Sequence, residues 1–355
     1  MPFTDPATSD AGSNGVMICA LLPLLSALVG AYKLSLGLKK AENDLRANAA
    51  RHEPMEKKCA LIISLMMAVC ASYGFIGAFV INKNLSESQT SFVPGNAGLA
   101  TGLVIGLTGS FSAMGLGWYA ASAVQSCSLN PRVFVGFILV AIYIEAFALY
   151  GLIIGLVCIN NGSKSLVDLA PDAAVPFASV SILAMLGGTV GTVLCGMAIM
   201  EVGVEQPQII MKCILPVVFN GVTGIYGLIS TVVAMAPWPA AGNDSIAGVF
   251  YIVSSMGLAY VGYHGVKDVA KNNRSFLPMI FKLIMCQSIG LVGLVISLLI
   301  HGKANDTPRQ GRRQLRIVVA FALALFVVAL GAYIQGTRRQ LLVDYVPLAD
   351  GDSHE

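Results

Sequence analysis

Residues 130–157 read NPRVFVGFILVAIYIEAFALYGLIIGLV, and between Val133 and Val157 the one charged residue is Glu145. A spanning helix needs about 20 predominantly apolar residues, so this stretch is read as a membrane helix carrying an acid at mid-depth. Working outward, runs of similar length occur at 16–37, 58–82, 97–125, 174–200, 208–236, 246–266, 277–301 and 315–336. With 132–158, these make nine expected spans. The links at 126–131 and 201–207 are too short for anything but tight helical hairpins. The expected fold is therefore an all-α integral membrane protein of four tandem hairpins plus one C-terminal helix.

Composition agrees. Only 12 % of the 355 residues are charged while 56 % are apolar, and the mean hydropathy is +0.75, well outside the usual range of soluble domains. The net charge of +3 is small, and the basic residues sit in loops, which gives no sign of a nucleic-acid partner. The eight cysteines lie mostly inside apolar runs without CxxC pairs or neighbouring histidines. They read as small buried hydrophobes, not disulfides or metal ligands, and no cofactor is expected. The first fifteen residues lack the basic start of a cleaved signal peptide, so the first span is expected to be retained.

The second helices of the hairpins repeat. AVCASYGFI (68–76), EAFALYGLI (145–153), GVTGIYGLI (221–229) and the weaker QSIGLVGLV (287–295) align without gaps. Pro54, Pro131 and Pro207 each stand fourteen residues before the aligned slot; the fourth copy has Asn273 there. Successive copies lie two spans apart, so all run in one direction, unlike the inverted repeats of many secondary transporters. The slot holds Ala68, Glu145, Gly221 and Gln287 in turn. The first helices carry small residues at helical spacing, as in Gly102, Gly106, Gly109, Ala113 and Gly117, and in Ala184, Gly188, Gly191, Cys195 and Ala198. Such faces allow close backbone approach where lipid offers little hydrophobic drive. They fit either ordinary membrane-helix packing or a tightly curved inner ring.

An acid at the centre of a span costs about 2.5–3.5 kcal/mol on insertion scales and marks function by default. The competing reading is a structural ion pair. Lys33, Lys212 and Lys267 lie near span ends and can snorkel, while Lys282, five residues before Gln287, has a stem long enough to reach the same interface. Hydrocarbon disfavours the charged form of a carboxyl, so Glu145 can stay neutral against lipid and ionise beside a hydrated or positive partner, as a proton carrier must. Tyr143, Tyr150 and Gln287 are its candidate neighbours; Gln287, an amide, cannot itself carry a proton at neutral pH. His264 reads as packing or interfacial, and Glu201 and Glu205 sit at a helix turn within reach of water.

Residues 130–157 resemble the last helix of the proteolipid (c) subunits of V-type rotary proton ATPases, with the family's essential glutamate falling on Glu145. QPQIIMKCILPVVFNGVTGIYGLISTVV (206–233) resembles the family's acid-free second helix. The family's members have four or five helices, and their acid-free hairpin comes first. The resemblance therefore implies two fused units: 16–158, carrying Glu145, and 174–301, with Gln287 in the acid slot. Residues 1–15 are then a polar tail, 315–336 an additional helix and 337–355 a second tail. It further implies a non-catalytic subunit of a proton-translocating ATPase in vacuolar or other acidic endomembranes. Its partners would be other ring proteolipids, a static membrane subunit supplying a pore arginine, the central stalk and soluble ATP-hydrolysing sector, and membrane lipids. The chain has no GxxxxGK[ST] loop of its own. A secondary proton-coupled transporter and a non-pumping rotor spacer or assembly protein are the alternative readings.

The resemblance places loops 38–57, 126–131, 201–207 and 267–276 on the cytoplasmic side, in agreement with the basic Lys39, Lys40, Arg46, Arg51, Lys57, Lys58, Lys267, Lys271 and Arg274. Loops 83–96, 159–173 and 237–245 would face the lumen, with weak glycosylation sequons at Asn84, Asn161 and Asn243. The basic stretch HGKANDTPRQGRRQLR (301–316) falls on the lumenal side if nine helices span. It reads as a flanking anchor or as a patch for anionic lipid.

Overall fold

The computed structural model describes residues 6–45, 53–87, 95–165, 171–234 and 245–302. The expected ninth span at 315–336 and the sequon at Asn243 lie outside the described residues. Within them the chain is helical apart from short turns: α1 (Pro6–Leu45), α2 (Glu53–Glu87), α3 (Gly95–Leu129), α4 (Phe134–Ser165), α5 (Pro171–Glu205), α6 (Ile210–Cys213), α7 (Leu215–Ala234), α8 (Ser245–Lys271) and α9 (Phe276–Gly302). Among the described residues eight spans are long and apolar enough to cross a membrane, with α6 and α7 forming one of them. That span is broken at Ile214 because Pro216 has no N–H to give and its ring crowds the preceding turn. The Ile214 carbonyl instead accepts from both Val217 N and Val218 N, at 3.0 and 3.2 Å. α1 begins at Pro6, so part of the expected polar tail is already helical.

The helices form two layers. The first helices of the hairpins follow one another as an inner series, α1 against α3, α3 against α5 and α5 against α8; the second helices follow as an outer series, α2 against α4, α4 against α7 and α7 against α9. The small-residue face of α3 is what lets α1 lie on it. A methyl group at Gly106 would fall 2.8 Å from the Ile18 carbonyl oxygen, and one at Gly102 or Gly117 would overlap the backbone of Gly15 or Gly30. The α5 series does something different. Gly188 and Gly191 make room for Phe147 of α4 and Asn220 of α7, so these small residues receive outer-layer side chains. Periodicity alone cannot tell these two uses apart.

The aligned glycine of the repeat has a physical reason in all four hairpins, since each is where the outer helix meets its own inner helix. Gly74 leaves space for the Pro23 ring, Gly151 for Thr108, Gly227 for Ala184 and Gly293 for Phe250 and Tyr251. The fourth hairpin, weakest by motif, thus keeps the same contact. Its turn is also the same: Asn130 and Asn272 cap 3₁₀ turns by accepting from Arg132 N and Arg274 N, at 3.1 and 3.0 Å, although Asn273 replaces proline. Pro131 opens the Asn130-capped turn and Pro207 opens the third such turn, a position where the missing N–H does no harm.

These turns lie at one end of the assembly and are tied together. Asn130 Nδ2 donates to the Val204 carbonyl and Gln206 Nε2 to the Ala270 carbonyl, both at 3.0 Å. Lys267 pairs with Glu201 at 2.9 Å and donates to the Tyr263 hydroxyl at 2.8 Å. Glu201, read from sequence as facing water, is thus exposed and also paired. His264 packs against Tyr260 with ring centroids 4.6 Å apart. All eight cysteines are free, and seven are buried.

Candidate proton-binding site

Glu145 lies near the middle of α4 and is half-buried. It shares a helical face with Ile142, Leu149 and Ile153, all of which are exposed, so the acid sits on the outward, apolar stripe of an outer helix. The opposite face, with Phe147 and Ile154, is buried, as are the flanking Ile144 and Ala148. This placement follows from helical periodicity: of the residues three and four away, Ile142 and Leu149 are exposed while Ala141 and Ala148 are buried, so Glu145 stands at the edge of the exposed stripe.

Its polar partner comes from α2. The Tyr73 hydroxyl donates to Glu145 Oε1 at 3.3 Å, at the long end for such a bond. Tyr73 was not among the candidates read from sequence, although it is the tyrosine of the first repeat's YG pair. The signal was available in principle, but only the packing of α2 on α4 shows that a side chain five residues past the Ala68 slot reaches the acid of the next repeat. The three expected neighbours have contacts of their own. Tyr143 lies over Gly221, the vacant slot of the third repeat, with ring carbons 3.0 Å from where a Cβ would be. Tyr150 meets Phe147 edge-on at 6.1 Å. Gln287 belongs to α9, beyond α7, where its Oε1 accepts from Thr223 Oγ1 at 3.3 Å. Among the described residues no cluster of three or more His, Cys, Asp or Glu side chains could hold a metal ion.

The arrangement defines a class: a multi-pass membrane protein of repeated helical hairpins in two layers, with a carboxyl on the outward face of one outer helix. The ATP synthase C-subunit family matches residues 99–158, 177–234 and 245–300, which are the second, third and fourth hairpins. A 16 kDa proteolipid of the V-type proton ATPase from Nephrops norvegicus is 30 % identical over 141 residues, covering 36 % of this chain and 89 % of that protein. One of the V-type proton ATPase 16 kDa proteolipids of Caenorhabditis briggsae is 33 % identical over 136 residues, 35 % of this chain and 84 % of the relative. The corresponding Chrysotila carterae proteolipid is 32 % identical over 157 residues, covering 38 % and 96 % respectively. The chain belongs to the V-type proton ATPase proteolipid family, in a fused or duplicated form whose tandem hairpins exceed the length of these relatives.

Proposed function

We propose that this chain is a rotor subunit in the proteolipid ring of a V-type proton ATPase, and that Glu145 takes up and releases a transported proton as the ring turns. The observation that carries the reading is the placement of a half-buried carboxyl on the exposed apolar face of an outer membrane helix, held by the Tyr73 hydroxyl. While protonated, Glu145 is neutral and can face lipid. Beside a fixed positive charge, which the static membrane subunit would supply as an arginine, the ionised form becomes favourable and the proton leaves. Tyr73 donates to Oε1 and so leaves Oε2 to carry the proton. Its bond holds the carboxyl in one rotamer through both states, limiting the reorganisation each transfer requires.

The proposed partners follow from the two layers. The exposed apolar side chains of α1, including Leu21, Leu25 and Leu28, and those of α8, including Val253, Met256 and Tyr260, lie at the two ends of the inner series, where other ring proteolipids would pack. Membrane lipids cover the outer stripes, and the end carrying the tied turns is offered to the central stalk and the ATP-hydrolysing sector. The compartment would be a vacuolar or other acidic endomembrane.

One acid among four hairpins lowers the protons moved per turn wherever this chain makes up much of the ring. Each charge moved against 100 mV requires about 2.3 kcal/mol, so fewer protons per ATP permit a steeper gradient. The test is Glu145→Gln in the reconstituted assembly. ATP-driven acidification is expected to stop while the assembly stays intact, because the amide oxygen can still accept from Tyr73. Undiminished acidification would overturn the proposal.

A further inference from the structure

In the inner layer, α3 and α5 leave between them an apolar groove of about 370 Å³. It runs from Phe111 and Leu186 at one end to Trp118 and Met197 at the other, and the stretch of α5 from Leu186 to Met197 is about 16 Å of helix. The second end is the one nearer the tied turns, because α3 and α5 both run toward them. One charged side chain lines the groove, Lys33 of α1. Gly30 and Gly37 of α1 lie against Gly117 and Ala121 of α3, which brings Lys33 to the level of Trp118. The groove is thus apolar along its length, with a cation and an indole at the end nearer the membrane surface.

Lys33 is exposed, and among the described residues no carboxylate pairs with it. The neighbouring groove between α5 and α8, about 460 Å³, is a useful contrast. Its residues at the same end are Tyr260, Tyr263 and His264, with no lysine or arginine in the lining. Lys267, which donates to Tyr263, is already neutralised by Glu201 at 2.9 Å. Both grooves can hold an acyl chain, but only the α3–α5 groove adds a charge left to be met. Lysine stems lie along apolar surface and carry the ammonium toward the headgroups, and tryptophan favours that same depth. By the positive-inside rule the turn end is cytoplasmic, the leaflet that carries anionic lipid and where basic pockets between helices take lipid headgroups.

We propose that the α3–α5 groove binds an anionic phospholipid, with its acyl chain against Phe111, Leu186 and Leu194 and its phosphate at Lys33 Nζ. The lipid would join α1 to α5 across α3, filling an inner-face gap that no side chain fills. This site is independent of Glu145 and of the proton it carries.

The test uses the full chain in mixed micelles of detergent and phosphatidylcholine, with Trp238→Phe so that Trp118 is the one tryptophan left. Phosphatidylserine or phosphatidylcholine with brominated acyl chains is titrated in, since bromine quenches an indole that it touches. Half-quenching of Trp118 is expected at an about fivefold lower mole fraction of the phosphatidylserine, a difference that shrinks as salt is raised. Lys33→Gln is expected to remove the preference and Lys33→Arg to keep it. Lys39→Gln, on the same helix but outside the groove lining, should leave it unchanged. Quenching by phosphatidylcholine in Lys33→Gln reports that the groove is still open. Equal quenching by the two lipids in the native sequence would overturn the proposal. So would an equal fall of the preference in Lys33→Gln and Lys39→Gln, the signature of general surface charge. Quenching by neither lipid would mean that protein closes the groove, and would overturn it as well.

Discussion

Gly117→Ala tests whether close contact between α1 and α3 holds the inner layer together. The added methyl would lie 2.6 Å from the Gly30 carbonyl oxygen and 2.8 Å from its carbon, against an ordinary contact of about 3.5–4.0 Å. The obstructing atoms are backbone, so no side chain can swing aside, and α1 must retreat by about 1 Å around this crossing. A gap of 0.5–1 Å forfeits about a quarter to a half of each dispersion well along the separated surface. Overpacking of this kind destabilises by about 1–3 kcal/mol. Gly30 gives no relief, since its own Cα faces Ala113, whose carbonyl oxygen would lie 2.7 Å from a methyl placed at Gly30. The assay is reversible unfolding of the purified chain in detergent, followed by helical circular dichroism. Gly221→Ala is the comparison, because the nearest atoms to its methyl belong to the Tyr143 ring, at 3.0 Å, and a ring can tilt. Gly117→Ala is expected to lose about 1–3 kcal/mol and Gly221→Ala clearly less. Equal losses, or no loss at Gly117, would refute the argument that backbone contact sets the α1–α3 spacing.

Three further outcomes are expected. Tyr73→Phe removes a bond worth about 1 kcal/mol, a change of about fivefold in a rate that depends on it; ATP-driven acidification should slow by that order with ring assembly unchanged, and an unaltered rate would show the hydroxyl to be idle. Asn130→Ala removes both the cap to Arg132 N and the tie to the Val204 carbonyl, and should lower stability by about 1–2 kcal/mol in the same unfolding assay. Lys267→Ala breaks a partly exposed pair with Glu201 and should change stability by no more than about 1 kcal/mol, with the difference shrinking as salt is raised.

Hairpins, repeat and acid were all legible from residues, for reasons of solvent and period. Hydrocarbon demands long apolar runs, tight turns demand residues such as Asn130 and Pro131, and the four-fold alignment of slots needs no coordinates. The small-residue faces predicted close packing without naming the partner: the α3 series meets α1 backbone, whereas Gly188 and Gly191 of α5 take in Phe147 and Asn220. Tyr143 and Tyr150 were candidate neighbours of Glu145 by sequence distance alone, and sequence distance did not show that one lies over Gly221 and the other against Phe147.

The sequence by itself determined that this chain spans a membrane repeatedly, that its hairpins are copies running in one direction, and that one slot in four holds an acid. These are properties of composition and period, which survive without knowledge of contacts. Only the tertiary structure decided which side chains face each slot. Tyr73 reaches Glu145 across 72 residues and Thr223 reaches Gln287 across 64, and such pairings depend on which helices are neighbours and how each is rotated. Helix rotation is set by glycine contacts such as Gly74 against Pro23 and Gly151 against Thr108, where the absence of a side chain on one helix matters only because of what the other helix places there.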